Sequence, residues 1–94
     1  MIDVASVVRL APKARLRFDR HRQQHMLLYP ERGLLLSATA VDVIALLGEA
    51  RMVSAIVDRV VEKYGEPSRA AITRDVLELL RDLADRGLLA EVAK

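Results

Sequence analysis

The sequence of 94 residues contains no cysteine and no tryptophan, and aromatic residues make up only 3% of it. Without cysteine, neither a disulfide framework nor a thiolate metal site can form, and we expect a protein of the reducing cytoplasm. With so few aromatic side chains, the core has to consist of Leu, Val, Ile and Ala. This composition favours a helix-rich fold.

Long apolar runs are also missing from the chain. No run approaches the roughly 20 residues that cross a bilayer, and the N-terminus lacks a charged start followed by an apolar segment. We therefore expect no membrane partner and no signal segment. The length allows one domain with a modest core.

Charge is small in total, at +2, but it is unevenly distributed. Residues 1–32 carry seven basic and three acidic side chains, which gives +4, so the remaining residues carry −2. A basic half is suited to contact nucleic acid, an acidic peptide or an acidic partner protein. The alternative is that these arginines only solubilise an exposed hairpin face.

Three short segments have the pattern of strands. Residues 14–19 alternate apolar and charged side chains, which is typical of a half-buried strand. A second apolar segment, 25–29, ends at Pro30, because proline cannot donate to the sheet ladder. Gly33 then supplies backbone freedom for the turn into a third strand at 34–36.

The segment before these strands has no comparable pattern. We expect residues 1–13 to form a flexible N-terminal arm, frayed or loosely docked, because termini are ordered only when something ties them down. Residues 14–94 are then expected to form a single domain.

Helical periodicity begins after Ser37, whose hydroxyl is a candidate N-cap, and Gly48 is placed to end this helix in a left-handed conformation. Two further helices are predicted, each followed by a glycine: 53–64 with Gly65, and 68–86 with Gly87. Met52 is a poor cap for the second helix, so we expect its cap to come from elsewhere.

Both faces of the predicted sheet are apolar. Met26 and Leu28 point to one side of the second strand, and Leu27 and Tyr29 point to the other. The helices can cover one face. For the second face, either a terminal segment folds back over it, or it is an association surface for a second copy or a peptide. An exposed strand edge also accepts an extended peptide as an additional strand.

Reactive side chains form no recognisable catalytic arrangement. His21 and His25 are four apart on a loop and strand junction, which does not place them on one face, and no carboxylate pair or cysteine lies nearby. The four glycines all sit at predicted turns or helix ends, so no phosphate-binding loop is present. We therefore expect no enzyme, no cofactor and no metal.

Four segments that span nearly everything after residue 12 carry a family resemblance: ARLRFD at 14–19, LLYPERGLLLSATA at 27–40, VSAIVDRVVEKYG at 53–65 and RDVLELLRDLADRGLL at 74–89. They resemble the PqqD family, the small peptide carriers of pyrroloquinoline quinone biosynthesis. The LLYPE run, followed by a Leu-rich strand and a helix, is the most specific part.

The resemblance implies an α+β, winged-helix-like domain in which a three-stranded antiparallel sheet precedes a three-helix bundle. It further implies that a PqqA-like precursor peptide pairs with the third strand and is presented to a PqqE-like radical S-adenosylmethionine enzyme. Carried onto this sequence, the peptide-binding residues are Gly33, Leu34, Leu35, Leu36 and Ser37 on the strand, and Val76, Leu77, Leu80, Arg81 and Ala84 on the third helix. Val76 and Leu80 are equally well placed to be core residues.

A second interpretation is a winged helix-turn-helix protein that binds DNA. In that case Arg69, Thr73 and Arg74 would lie near the start of the recognition helix. The same helix carries four acidic residues that would face phosphates unfavourably, at positions 75, 78, 82 and 85. Nucleic acid is therefore the less favoured partner, and a structural homodimer is a third possibility.

Overall fold

The computed structural model describes residues 2–30, 32–65 and 68–92. The elements are, in chain order, β1 (Val7–Leu10), β2 (Arg15–Asp19), β3 (Gln24–Tyr29), β4 (Arg32–Leu35), α1 (Ala38–Leu46), β5 (Arg51–Met52), α2 (Val53–Tyr64), α3 (Arg69–Asp85) and β6 (Leu89–Glu91). They form an α+β fold, as predicted. In the described residues, no helix is both long enough and apolar enough to span a membrane.

The three predicted strands form an antiparallel sheet in the order β2-β3-β4, which we call the hairpin sheet. Its register aligns Leu16, Leu27 and Leu34 across the three strands, so their side chains share one face. Leu27 at the centre is fully buried, and this face packs against α1 and α3. The predicted sheet is therefore confirmed.

The helix ends follow the predicted caps except at one glycine. The hydroxyls of Ser37 and Ser68 accept hydrogen bonds from the N–H groups of Ala40 and Ala71, at 3.2 and 3.1 Å. Gly65 and Gly87 have φ of 77° and 73°, the left-handed region that glycine tolerates. Gly48 is not among the glycines with positive φ, because α1 is already capped by Leu47 with ordinary dihedrals.

A second antiparallel sheet, which the sequence did not predict, has the order β5-β1-β6. We call it the terminal sheet, because it joins the chain's first and last strands. The expected flexible arm is therefore corrected: β1 is the central strand, and Val8 within it is fully buried. The strand β1 was missed because its four residues carry little periodicity and both of its partner strands are remote in sequence.

The N-terminal segment also completes the start of α2. The N–H groups of Val53 and Ser54 donate to the carbonyls of Ser6 and Val4, at 2.9 and 3.0 Å. These two donors belong to the first turn of a helix, where no intrahelical acceptor exists. The cap that Met52 does not provide thus comes from the backbone of the first six residues.

Two clusters of buried apolar side chains make up the core. One joins β1 and α2 to the inner side of α3 and includes Val8, Val57 and Leu80. The other joins the hairpin sheet to α1 and α3 and includes Leu27 and Leu83. Helix α3 therefore lies between the two sheets and contributes to both clusters.

Candidate functional site

The hairpin sheet ends at β4, whose outer edge pairs with no other strand in the described part of the chain. The N–H of Leu36 donates to the carbonyl of His25 at 3.2 Å. Because backbone groups alternate in direction along a strand, this bond fixes the phase: Leu34 and Leu36 bond inward to β3, while Gly33 and Leu35 point outward. The free edge thus offers two N–H and two C=O groups at alternate residues.

Gly33 lies inside β4, paired with Leu28, and not in the preceding turn as predicted. Its φ is not positive, so the turn does not require glycine there. A Cβ at this position would lie 2.7 Å from the Cε of Met26 and 3.3 Å from a methyl of Leu28. Glycine therefore provides room for these two side chains, which fold over the strand.

The outer face of the hairpin sheet carries an exposed apolar patch made of Met26, Leu28 and Leu35. Leu28 is 38% and Leu35 is 45% exposed, and Arg15 and Arg17 lie on the same face by the register of the sheet. A fold-back of one terminal segment was one of the two alternatives for covering this face, but β1 and β6 pair with each other in the terminal sheet instead. In the described residues, the patch is left open.

The opposite face of β4 borders α3. Leu79 and Leu83 of this helix pack in the same cluster as Leu34 and Leu36. A pocket of about 280 Å³ opens where β4 ends and α1 begins. It is lined by Ser37, Thr39, Ala40, Val43, Asp75, Val76 and Leu79. The pocket therefore has an apolar floor and a polar rim, and it lies just past the end of β4, between α1 and α3. We call the surface between β4 and α3, with this pocket at one end, the groove.

The helix residues predicted to face the strand lie mostly elsewhere. Val76 and Leu80 are buried in the other cluster, at 2% and 0% exposure, and Leu77 and Ala84 pack against that cluster. Val76 reaches the pocket only as part of its floor. The structure therefore brings Leu34, Leu36 and Ser37 together with Leu79, and Val76 is the residue of the predicted helix wall that shares the pocket with Ser37.

Arg81, which was predicted as a peptide contact, has a partner within the protein. Its Nε and a terminal nitrogen donate to the carbonyl of Ile2, at 3.1 and 2.8 Å. Ile2 itself is 5% exposed and belongs to the core. Arg81 thus fastens the N-terminal segment to α3.

The far end of the groove holds a small polar cluster. Hydrogen bonding to Tyr29, and then to Asp82, raises the pKa of Arg86. Arg86 lies 3.2 Å from Asp82 one turn earlier on α3, and Tyr29 is the register partner of Arg32 at the start of β4. The groove therefore has Arg86 beside the start of β4 and Asp75 beside its end.

The start of α3 is not arranged as a basic surface. Arg69 forms an ion pair and hydrogen bond with Asp58 on α2, and the hydroxyl of Thr73 donates to the carbonyl of Arg69 at 2.8 Å. Arg74 lies 3.9 Å from Asp75. Among residues 2–30, 32–65 and 68–92, no three His, Asp or Glu side chains could share a metal ion.

The strand that carries the candidate site was therefore predicted from the sequence, whereas the peptide contacts on α3 stay a prediction, since most of those residues pack toward the other cluster. Leu79, which packs in the cluster of Leu34 and Leu36, was not among the predicted site residues. The available signal was Ser37: a cap at the end of β4 places the first turn of α1 beside the groove. Which side of α3 faces β4 depends on how the helix is rotated, and both sides are apolar.

Comparisons with known proteins agree on one family. The model of the family described as coenzyme PQQ synthesis protein D (PqqD) matches residues 24–89. A "PqqA binding protein" of Rhodopseudomonas palustris is 44% identical over 96% of this chain and 87% of its own length. A bifunctional coenzyme PQQ synthesis protein C/D of Methylorubrum extorquens is 38% identical over 90% of this chain and 23% of its own length.

A solved structure is similar over almost the whole chain. It is the NMR structure of the PqqD truncation of Methylobacterium extorquens PqqCD, described as a functional, stand-alone recognition element for ribosomally synthesised and post-translationally modified peptides. The TM-score is 0.81 at 36% identity, with 96% of this chain and 95% of the other covered.

Proposed function

This chain belongs to the PqqD family, and from that membership we propose that it recognises a PqqA-like precursor peptide of pyrroloquinoline quinone biosynthesis. The peptide adds to the free edge of β4 as one more antiparallel strand. The loaded protein then presents the peptide to a PqqE-like radical S-adenosylmethionine enzyme. The protein is a recognition domain of the cytoplasm and performs no chemistry of its own.

The observation that carries this proposal is the outward direction of the Gly33 and Leu35 backbone groups. Main-chain pairing along such an edge gives affinity with little demand on sequence. Alternate side chains of the added strand would face the groove against Leu79, and these supply the choice between peptides.

A four-residue free edge beside an exposed apolar patch is unusual in a protein that has to stay monomeric. Proteins usually shorten, charge or cover such edges, because they pair with other chains. An edge kept open for a transient guest explains why β4 carries only one charged residue, Arg32. A homodimer formed through the same edge would compete with the peptide.

The test compares Leu35→Pro with Leu35→Ala in titrations with synthetic PqqA of Rhodopseudomonas palustris, followed by backbone amide shifts. Proline removes the outward N–H of residue 35 without breaking a bond to β3, so the strand remains paired. We expect at least about tenfold weaker binding for the proline variant and at most about threefold for alanine, because alanine keeps the donor.

Amide hydrogen exchange of the unmodified protein provides a second measurement that needs no variant. The Leu35 amide should exchange fast in the free protein and become protected when the peptide binds, whereas the Leu34 amide should be protected in both states. Binding that leaves the Leu35 amide unprotected would contradict strand addition on β4. Equal effects of proline and alanine would contradict it as well.

Duplex DNA in the same titration addresses the second interpretation. DNA binding would shift the amides of residues 69–74 and weaken steeply with salt. The ion pair of Arg69 with Asp58 and the acidic residues along α3 argue against it.

A further inference from the structure

The pocket at the end of β4 has a mixed chemical character that the proposed strand pairing does not use. Its floor is apolar, with the nearly buried Ala40 on α1 and Leu79 on α3. Its rim is polar and includes Asp75. Among the described residues that line it, Asp75 is the only charged one.

Asp75 is free to accept a new partner. Its side chain is 67% exposed, and its ion pair is a long one, with 3.9 Å between the carboxylate and the Nε of neighbouring Arg74. A carboxylate held at the rim of an apolar pocket is complementary to a group that has an apolar stem and a positively charged end.

We propose that this pocket binds a lysine or arginine side chain of the precursor peptide. The aliphatic part of that side chain lies against Ala40 and Leu79, and its charged end pairs with Asp75. The inference rests on the proposed strand addition and deepens it by naming a residue class that the peptide has to carry.

The position of this basic residue follows from the register. A strand that pairs with the outward groups of Gly33 and Leu35 places the residue opposite Leu36 on the same face as Leu34, toward the helices. In an antiparallel guest this residue lies toward the peptide's N-terminus, because β4 runs toward Ser37. The pocket therefore also fixes where along the peptide the pairing begins.

The test is a positional scan of synthetic Rhodopseudomonas palustris PqqA, in which each residue is replaced in turn by lysine, norleucine and glutamate. Each peptide is titrated against the unmodified protein and against Asp75→Asn. Norleucine keeps the aliphatic stem and removes the charge. Glu78→Gln is the matched control, since it neutralises a carboxylate on α3 that does not line the pocket.

We expect one position at which lysine binds about three- to tenfold more tightly than norleucine, and at which glutamate binds most weakly. This preference should disappear in Asp75→Asn, persist in Glu78→Gln and shrink at high salt. Asp75→Lys should reverse it, so that glutamate becomes the preferred residue at the same position.

Failure of this inference differs from failure of the proposed function. If the peptides bind and shift the amides of residues 33–37, but no position is coupled to Asp75, the pocket does not select a basic residue and the inference is overturned. Loss of the preference in both Asp75→Asn and Glu78→Gln would also overturn it, because the effect would then be general charge. If no peptide binds at all, both the proposed peptide recognition and the proposed pocket for a basic residue are contradicted.

Discussion

The two sheets of this protein have the same number of strands and the same antiparallel pairing, but their edge strands differ in length and exposure. In the terminal sheet, β1 is buried at the centre, and the edge strands β5 and β6 have only two and three residues. In the hairpin sheet, the edge strands are longer: β2 has five residues, three of them charged, and β4 has four residues and carries the exposed Leu35.

This difference separates a sheet that holds the fold together from a sheet that has room for a guest. Short edge strands limit pairing with other chains, and the terminal sheet follows that rule. The hairpin sheet does not follow it, and its open edge adjoins both an apolar patch and the groove against α3. Under the proposed function, the same architecture serves stability in one sheet and peptide recognition in the other.

The largest difference between the two sheets is expected when a charged residue is introduced into each of them. Val8→Asp places a carboxylate at a fully buried site without a partner, so we expect a loss of at least about 3 kcal/mol in the free energy of unfolding. Leu35→Asp, at an exposed site, should cost no more than about 1 kcal/mol. Urea denaturation measures both, and similar losses would contradict the division between the sheets.

A smaller effect is expected from Arg81→Gln. This change weakens the hydrogen bonds to the Ile2 carbonyl and should lower the free energy of unfolding by about 1–2 kcal/mol. Peptide affinity should stay the same, because Arg81 lies on the side of α3 that faces the terminal sheet. Arg59→Gln, at an exposed position on α2, is the control for loss of a positive charge. If Arg81→Gln weakened peptide binding and left the free energy of unfolding unchanged, Arg81 would be a peptide contact after all.

The smallest expected effect lies outside both sheets, where Asp42 of α1 meets α2. Hydrogen bonds from Lys63, at 2.8 Å, and from Tyr64 lower the pKa of Asp42 below its usual 3.8. A lowered carboxyl pKa stabilises the fold above about pH 4, and this contribution is lost as the pH falls through the folded-state pKa. Asp42→Asn should therefore cost about 0.5 kcal/mol at pH 7 and less at pH 3, as measured by urea denaturation at both values. A cost that is independent of pH would rule out the ion pair as its cause.

Local sequence patterns predicted much of the fold. The strand around Leu16, the cap at Ser37, the helix start near Ser68 and the helix end at Gly65 depend on residues close together in the chain, and each was found as expected. The expected alternation of burial stops at Phe18, which is 48% exposed. Gly33 was predicted to lie in the turn before the third strand, but it lies inside β4. Its role depends on Met26, seven residues earlier, and no local rule contains that contact.

The two sides of the candidate site depend on different information. Residues 33–37 came from the family resemblance, and their part in peptide binding stays a prediction; which of their backbone groups point outward follows from the Leu36 hydrogen bond in the structure. The side of α3 that faces β4 could not be chosen from the sequence, because α3 has apolar residues on two sides and packs against two clusters. Choosing Leu80 instead of Leu79 rotates the predicted wall by about 100°, given 3.6 residues per turn.

The sequence by itself determined the three helices, the three strands of the hairpin sheet and the absence of thiol chemistry, because each follows from periodicity, caps or composition. Only the tertiary structure decided that β1 joins the last strand in a second sheet, that Arg81 binds Ile2 and that Asp75 and Ser37 share a pocket. These features join residues 38 to 83 positions apart, and such pairings depend on how the elements pack rather than on any local pattern.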